Sequence, residues 1–216
     1  MPMKALLFLS TTVAGSVLSG PRQALLYGTP HPLRLKQSIQ DLAATTNGGG
    51  DCSAKQAAEM EVLVSMLEKR NPTENSASSS LLAGEWDQVY TSNAMGITYG
   101  DGCVMRRELI SGRLSGRVTQ LIDQKRMRYR QRIQCFPILK GELKADFTVV
   151  GATDWAVSFR KFTLSALTLL PFRWRTAAYE GTWSHTYLDD DTRIMRTRRA
   201  AGGGEFYFVL RRRKRR

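Results

Sequence analysis

The chain has 216 residues, a formal net charge of +13 and 42% hydrophobic residues, enough apolar material for one packed domain plus a leader and too much for a disordered polyelectrolyte. Its three cysteines, Cys52, Cys103 and Cys135, are odd in number and far apart, which excludes a disulfide framework and a zinc quartet and reads as free thiols. The positive charge admits nucleic acid, an acidic membrane surface or an acidic protein as partner without choosing among them.

Residues 1–32 read as a targeting leader. Lys4 precedes an apolar stretch over residues 5–18, small residues follow at Ser16, Ser19 and Gly20, and no acidic residue occurs before Asp41. That is the layout of a signal or transit peptide. The stretch is too short and too interrupted by Ser10, Thr11 and Thr12 to span a bilayer.

Two helices are predicted over residues 33–71. Leu35, Ile39, Leu42 and Thr46 recur at helical spacing, and Asn47 with Gly48 to Gly50 stops that helix. Ser53 with Gln56 three residues on has the form of a capping box, and Met60, Leu63, Val64 and Leu67 give the second apolar face. Asn71-Pro72 ends it, and residues 73–80 read as a polar, serine-rich linker.

From residue 81 to 210 the period changes to two. Trp86, Gln88 and Tyr90 alternate with Asp87 and Val89; Met127, Tyr129, Gln131, Ile133 and Cys135 share one face while Arg128, Arg130, Arg132 and Gln134 share the other. Leu143, Ala145, Phe147 and Val149 repeat the rhythm, as do Trp155, Val157 and Phe159. With residues 117–123, the terminal segments and a further candidate strand over 104–110, the count is about eight or nine. That predicts a mainly β fold, an up-and-down antiparallel barrel or a sandwich, preceded by two helices. Residues 182–210 form its ending: three short strands, with Asp189 to Asp191 in one turn and Gly202 to Gly204 in the next.

Two further stretches point to surfaces. Residues 164–172 are apolar and bracketed by Arg160, Lys161, Arg173 and Arg175. Nine residues cannot span a bilayer, but a loop carrying Leu164, Leu167, Leu169, Leu170 and Phe172 can dip into an anionic interface. The alternative is a strand end and lid over the mouth of a barrel. Residues 211–216 are all Lys or Arg, a basic tail suited to an anionic surface or simply to solvent.

Several blocks resemble one family. Gly84-x-Trp86 is similar to the entry motif of lipocalins. The run Leu42-Ala43-Ala44-Thr45-Thr46-Asn47-Gly48, then Leu67-Glu68-x-x-Asn71-Pro72-Thr73, then Leu81-Leu82-x-Gly84-x-Trp86-x-x-x-Tyr90-Thr91-Ser92, follow the order of the plastid lipid-associated (PAP/fibrillin) proteins. So do residues 116–123, the segment Thr186-Tyr187-Leu188-Asp189-Asp190-Asp191-x-Arg193-Ile194-x-Arg196, and Phe208-Val209-Leu210. The departures are Asp191-Thr192 where leucine is usual before Arg193, Thr197 in place of glycine, and the basic tail.

The resemblance implies a lipocalin-like barrel that binds or carries lipophilic molecules (lipids, quinones or carotenoids) in the plastid, at thylakoids or plastoglobules. Candidate ligand-lining residues are then Trp86, Tyr90, Phe147, Trp155, Phe159, Trp183 and Tyr187, each with plain barrel core as its competing role. Arg193 or Arg196 is the candidate to close the barrel against Trp86 by a cation–π contact. A membrane-coating protein with a filled barrel is the second reading, and a basic nucleic-acid binder the third and least supported. No catalytic residue, metal site or cofactor is expected: the histidines are His31 and His185, and no nucleophile or phosphate loop accompanies them.

Overall fold

Helix α1 (Pro32–Thr45) starts on a proline in its first turn, and His31 Nδ1 accepts from Leu33 N at 3.4 Å. Helix α2 (Ala54–Glu68) carries the expected capping box, with Ser53 Oγ accepting from Gln56 N and Gln56 Oε1 accepting from Ser53 N at 3.3 and 3.0 Å. Between them Gly49 holds φ +99°, and a Cβ there would collide with Thr91 O. Only glycine lets this turn lie against the barrel wall. The computed structural model describes residues 30–92, 98–99, 103–104, 117–135, 139–166, 170–174, 180–199 and 205–214; the leader falls, but for its last three residues, outside them.

The strands are β1 (Gly84–Thr91), β2 (Thr98–Tyr99), β3 (Cys103–Val104), β4 (Arg117–Asp123), β5 (Arg128–Cys135), β6 (Leu139–Val149), β7 (Asp154–Ala166), β8 (Leu170–Trp174), β9 (Glu180–Leu188), β10 (Thr192–Arg199) and β11 (Phe206–Arg212). Their order is β6-β5-β4-β1-β11-β10-β9-β7, and pairing of β6 with β7 closes the ring into an eight-stranded antiparallel barrel. Closure removes the exposed strand edges that an open sheet would present. Strand β8 also pairs with β7, farther along it than β9: Phe162 opposes Trp174 and Ser158 opposes Glu180. Strands β2 and β3 form a separate two-stranded ribbon, and the rest of the strand expected over 104–110 lies outside the described residues.

Two apolar clusters result. One lies inside the barrel, with Trp86, Ile122, Tyr129, Ala145, Phe147, Trp155, Val157, Trp183, Leu188, Met195 and Leu210. The other joins Leu35, Ile39 and Ala43 of α1 and Met60, Val64 and Leu67 of α2 to the outer face of the barrel at Tyr90, Tyr187, Ile194, Tyr207 and Val209. The helices thus cover one side of the barrel, over β1, β9, β10 and β11.

Residues 73–80 depart from their linker reading. Two short 3-10 turns, Ser76–Ser78 and Ser80–Leu82, fold into one end of the barrel and seal it. Ser76, Ala77 and Leu82 are fully buried there, and the carbonyls of Ala77 and Leu82 accept from Trp155 Nε1 and Trp86 Nε1 at 2.8 and 3.0 Å. Ser76 Oγ donates to His185 O at 2.5 Å, and Asn71 Oδ1 and Thr73 Oγ1 engage Leu188 N and Leu188 O. A serine-rich composition looks like solvent-exposed chain, but here the Thr73 and Ser76 hydroxyls and the Ala77 and Leu82 carbonyls serve the strands, while Ser78 and Ser80 stay exposed.

Candidate functional site

The barrel interior is layered. Next to the plug lies an aromatic stack: Phe147 parallel to Trp155 with centroids 3.7 Å apart, and Trp155 edge-on to His185 at 4.2 Å. Farther along, Tyr129 meets Trp183 edge-on at 4.7 Å, and Phe159 lies 5.8 Å from Trp183. The edge-on contact of Tyr129 with Trp183 is a favourable geometry for aromatic pairs.

Polar side chains cross this interior. Arg193 is fully buried; from β10 it reaches across the lumen, past β11 and β1, and its Nη2 donates to Gln120 Oε1 of β4. Gln120 opposes Gln131 of β5 in register, and Gln131 Oε1 accepts from Tyr129 Oη at 2.7 Å. Arg193 Nε and Nη1, Gln120 Nε2 and both ring nitrogens of His185 have no hydrogen-bond partner among the described residues. Burial brings the Arg193 guanidinium down to about 10, with Tyr129 opposing the change and the neighbouring Arg212 cation adding to it. Burial, and then the Arg193 charge, hold His185 well below the usual imidazole value, so it is neutral at physiological pH. Burial raises the Tyr129 phenol.

The seven candidate lining residues divide between two places. Trp86, Phe147, Trp155 and Trp183 are buried in the interior and Phe159 packs against them. Tyr90 and Tyr187 lie instead on the outer wall beneath the helices. Register breaks explain the division: pairing of β1 with β11 shifts between Gln88 and Tyr90, and pairing of β9 with β10 shifts between Tyr187 and His185. One extra residue at each break turns the following side chains to the other face.

The two candidate arginines also separate. The Cζ of Arg193 lies 5.2 Å from the centroid of the Trp86 ring. Arg196 faces outward, over Tyr207 at 5.0 Å, with Nε and Nη2 donating to the Glu68 carboxylate at 2.8 Å and Nη2 to Glu61 Oε1 at 2.7 Å. A second guanidinium does reach Trp86: Arg212 Cζ is 4.3 Å from its centroid, and its nitrogens donate to Asp190 O, Ala83 O and Leu81 O. Reading residues 211–216 as one basic run concealed this, because Arg212 is the last residue of β11 and Arg213 pairs with Glu85 and Asp87. The signal available for Gln120 and Gln131 was a polar residue on an otherwise apolar strand face.

Leu164 belongs to β7, and Leu170 and Phe172 to β8, with Leu164 opposite Phe172 and Ala166 opposite Leu170 in a hairpin at the end of the barrel away from the plug. Leu167 and Leu169 lie outside the described residues. Asp189 to Asp191 form the expected turn: Asp189 Oδ1 accepts from Asp191 N and Thr192 N at 3.1 and 2.9 Å. Burial opposes the Asp189 charge, yet hydrogen bonds from Lys36, Tyr187 and these backbone groups hold the carboxyl at about 2. Outside the barrel, a groove of about 1320 Å³ runs past Gly84, Asp191, Arg211, Arg212 and Lys214. Another, of about 360 Å³, lies among Arg126, Arg128, Arg130, Lys144 and Arg160.

A family model, PAP_fibrillin, matches residues 33–211 of the chain. No curated protein matches it.

Proposed function

Because the chain belongs to the PAP/fibrillin family, we propose that it is a non-enzymatic carrier of lipophilic molecules at the surface of plastid lipid structures. The observation that carries this reading is a closed barrel whose interior is rich in aromatic side chains, with a plug at one end. An eight-stranded barrel is wide enough to hold one small ligand. Trp183, Phe159 and Tyr129 offer it an apolar wall, and the Gln120–Arg193 beam offers the few fixed polar groups that orient a ligand. The end opposite the plug carries the β7–β8 hairpin, whose apolar run with basic flanks suits contact with an anionic lipid interface.

Organic extraction of the purified full chain followed by mass spectrometry, with fluorescence titration against a plastoquinone analogue and a carotenoid, tests the reading. A co-purifying apolar molecule, or saturable quenching of interior tryptophans, is the expected result. Absence of both overturns it and leaves the second reading, a membrane-coating protein with a filled barrel. That reading draws on the Phe147–Trp155–His185 stack, which occupies the plug end with protein alone.

A further inference from the structure

All five buried side-chain polar atoms that lack a partner among the described residues sit on three residues of the barrel interior, Arg193, Gln120 and His185. A scatter of such atoms would mean little. Their concentration around one buried cation is informative, since buried polar groups are nearly always satisfied and an unpaired buried charge costs several kcal/mol.

The chemistry of the missing partner follows from the atoms left over. Arg193 Nε and Nη1 and Gln120 Nε2 are donors only, and neutral His185 adds one donor and one acceptor. Donors therefore far outnumber acceptors. The charge is also one-sided: the groups that act on the Arg193 guanidinium are Tyr129 and the Arg212 cation, with no carboxylate among them. The one acceptor that Arg193 has, Gln120 Oε1, is neutral. A group that supplies several acceptor lone pairs and a single negative charge meets both deficits. A carboxylate does so; a neutral carbonyl supplies lone pairs but leaves the charge, and a phosphate monoester carries nearly twice the charge of one guanidinium.

We propose that the interior cradle formed by Arg193, Gln120 and His185 binds the carboxylate of a long-chain fatty acid, with the acyl chain running along Tyr129, Trp183 and Phe159. This rests on the carrier reading above and narrows its ligand to lipids with an ionised carboxyl head. The plug side of the cradle is closed by Trp86 and Trp155, so the chain extends from the cradle away from the plug.

Binding of hexadecanoic acid and of methyl hexadecanoate to the full-length protein at pH 8 distinguishes the two levels of the claim. The acid is expected to bind at least about tenfold more tightly than the ester, the margin of a hydrogen bond to a charged group. Arg193→Met is expected to abolish that preference, so that acid and ester bind alike. Equal binding of acid and ester by the unaltered protein overturns the carboxylate site and leaves the carrier role standing. Saturable uptake of neither probe, nor of a quinone or carotenoid, overturns both. Because Arg193→Met removes a residue packed on Trp86, a ¹³C-carboxyl-labelled acid bound to the unaltered protein gives an independent readout. Its carboxyl is expected to stay ionised below the pH at which the free acid protonates, and titration like the free acid overturns the site.

Discussion

His185 is the residue whose environment makes the sharpest demand on solution conditions. It lies fully buried, edge-on to Trp155, with the Arg193 cation nearby, and both effects favour its neutral form. In the unfolded chain it titrates near 6.5, so below that pH the unfolded state binds one more proton than the fold. Stability from this group is therefore complete above pH 6.5 and falls as the pH drops toward the depressed folded value, by about 1.4 kcal/mol per pH unit. Asp189 acts later: held at about 2, it loses its contribution only as the pH falls from near 4 toward that value. Urea denaturation between pH 8 and 5 checks the first window; the unaltered protein is expected to lose stability with that slope, and His185→Leu to show a flatter profile. Matching slopes would place the histidine outside the linkage. The sequence shows a histidine on an alternating strand, but neither its burial nor the guanidinium that spans the lumen is written in local pattern, because Gln120 and Arg193 meet across two intervening strands.

At the scale of elements, the joint between helices and barrel rests on two charged clamps over an apolar seam. Lys36 of α1 reaches Asp189 Oδ2 at 2.5 Å and Asp191 Oδ1 at 2.6 Å, and Arg196 of β10 grips Glu68 and Glu61 of α2. Arg196 and Glu68 are 20% and 15% exposed, so their forked pair is screened less than a surface bridge. A double-mutant cycle with Arg196→Met and Glu68→Gln, read by urea denaturation, is expected to give a coupling of about 1–2 kcal/mol. A coupling near zero would mean that the seam of Met60, Val64, Leu67 and Tyr207 holds α2 alone. Both helices were legible beforehand because period, cap and glycine stop agree. The bulges in β1 and β9 were not: alternation assigns Tyr90 to the face of Trp86 and Tyr187 to the face of Trp183, and one extra residue in each strand sends both tyrosines to the helices. The plug was equally hidden, since its serines look like solvated chain until Trp86, Trp155 and His185 are placed beside them.

The barrel has two unlike sides. The helices cover β1 and β9 to β11, while among the described residues the outer face of β5 to β7 has no helix on it and is basic, with Arg128, Arg130, Arg132, Lys144 and Arg160 around Glu142 and Asp146. The carboxyl-terminal basic run divides between structure and surface. Arg212 and Arg213 are built into the barrel end, against Trp86 and against Glu85 and Asp87, whereas Lys214 is exposed at the rim of the groove beside them. Two truncations separate these roles. Removing residues 214–216 is expected to leave urea stability within about 0.5 kcal/mol, because no strand pairing is lost. It should also weaken binding to vesicles of anionic glycerolipid by about tenfold or more at low salt, on a scale of roughly 1 kcal/mol for each cation near the surface. Added salt should shrink that difference as the Debye length falls below 10 Å. Removing residues 211–216 takes away the end of β11, the guanidinium on Trp86 and the bridges to Glu85 and Asp87, and so is expected to destabilise the barrel itself by several kcal/mol. If the shorter truncation lowers stability as much as the longer one, the cations after Arg213 are structural too; if it leaves vesicle binding unchanged, residues 214–216 do not carry the attraction.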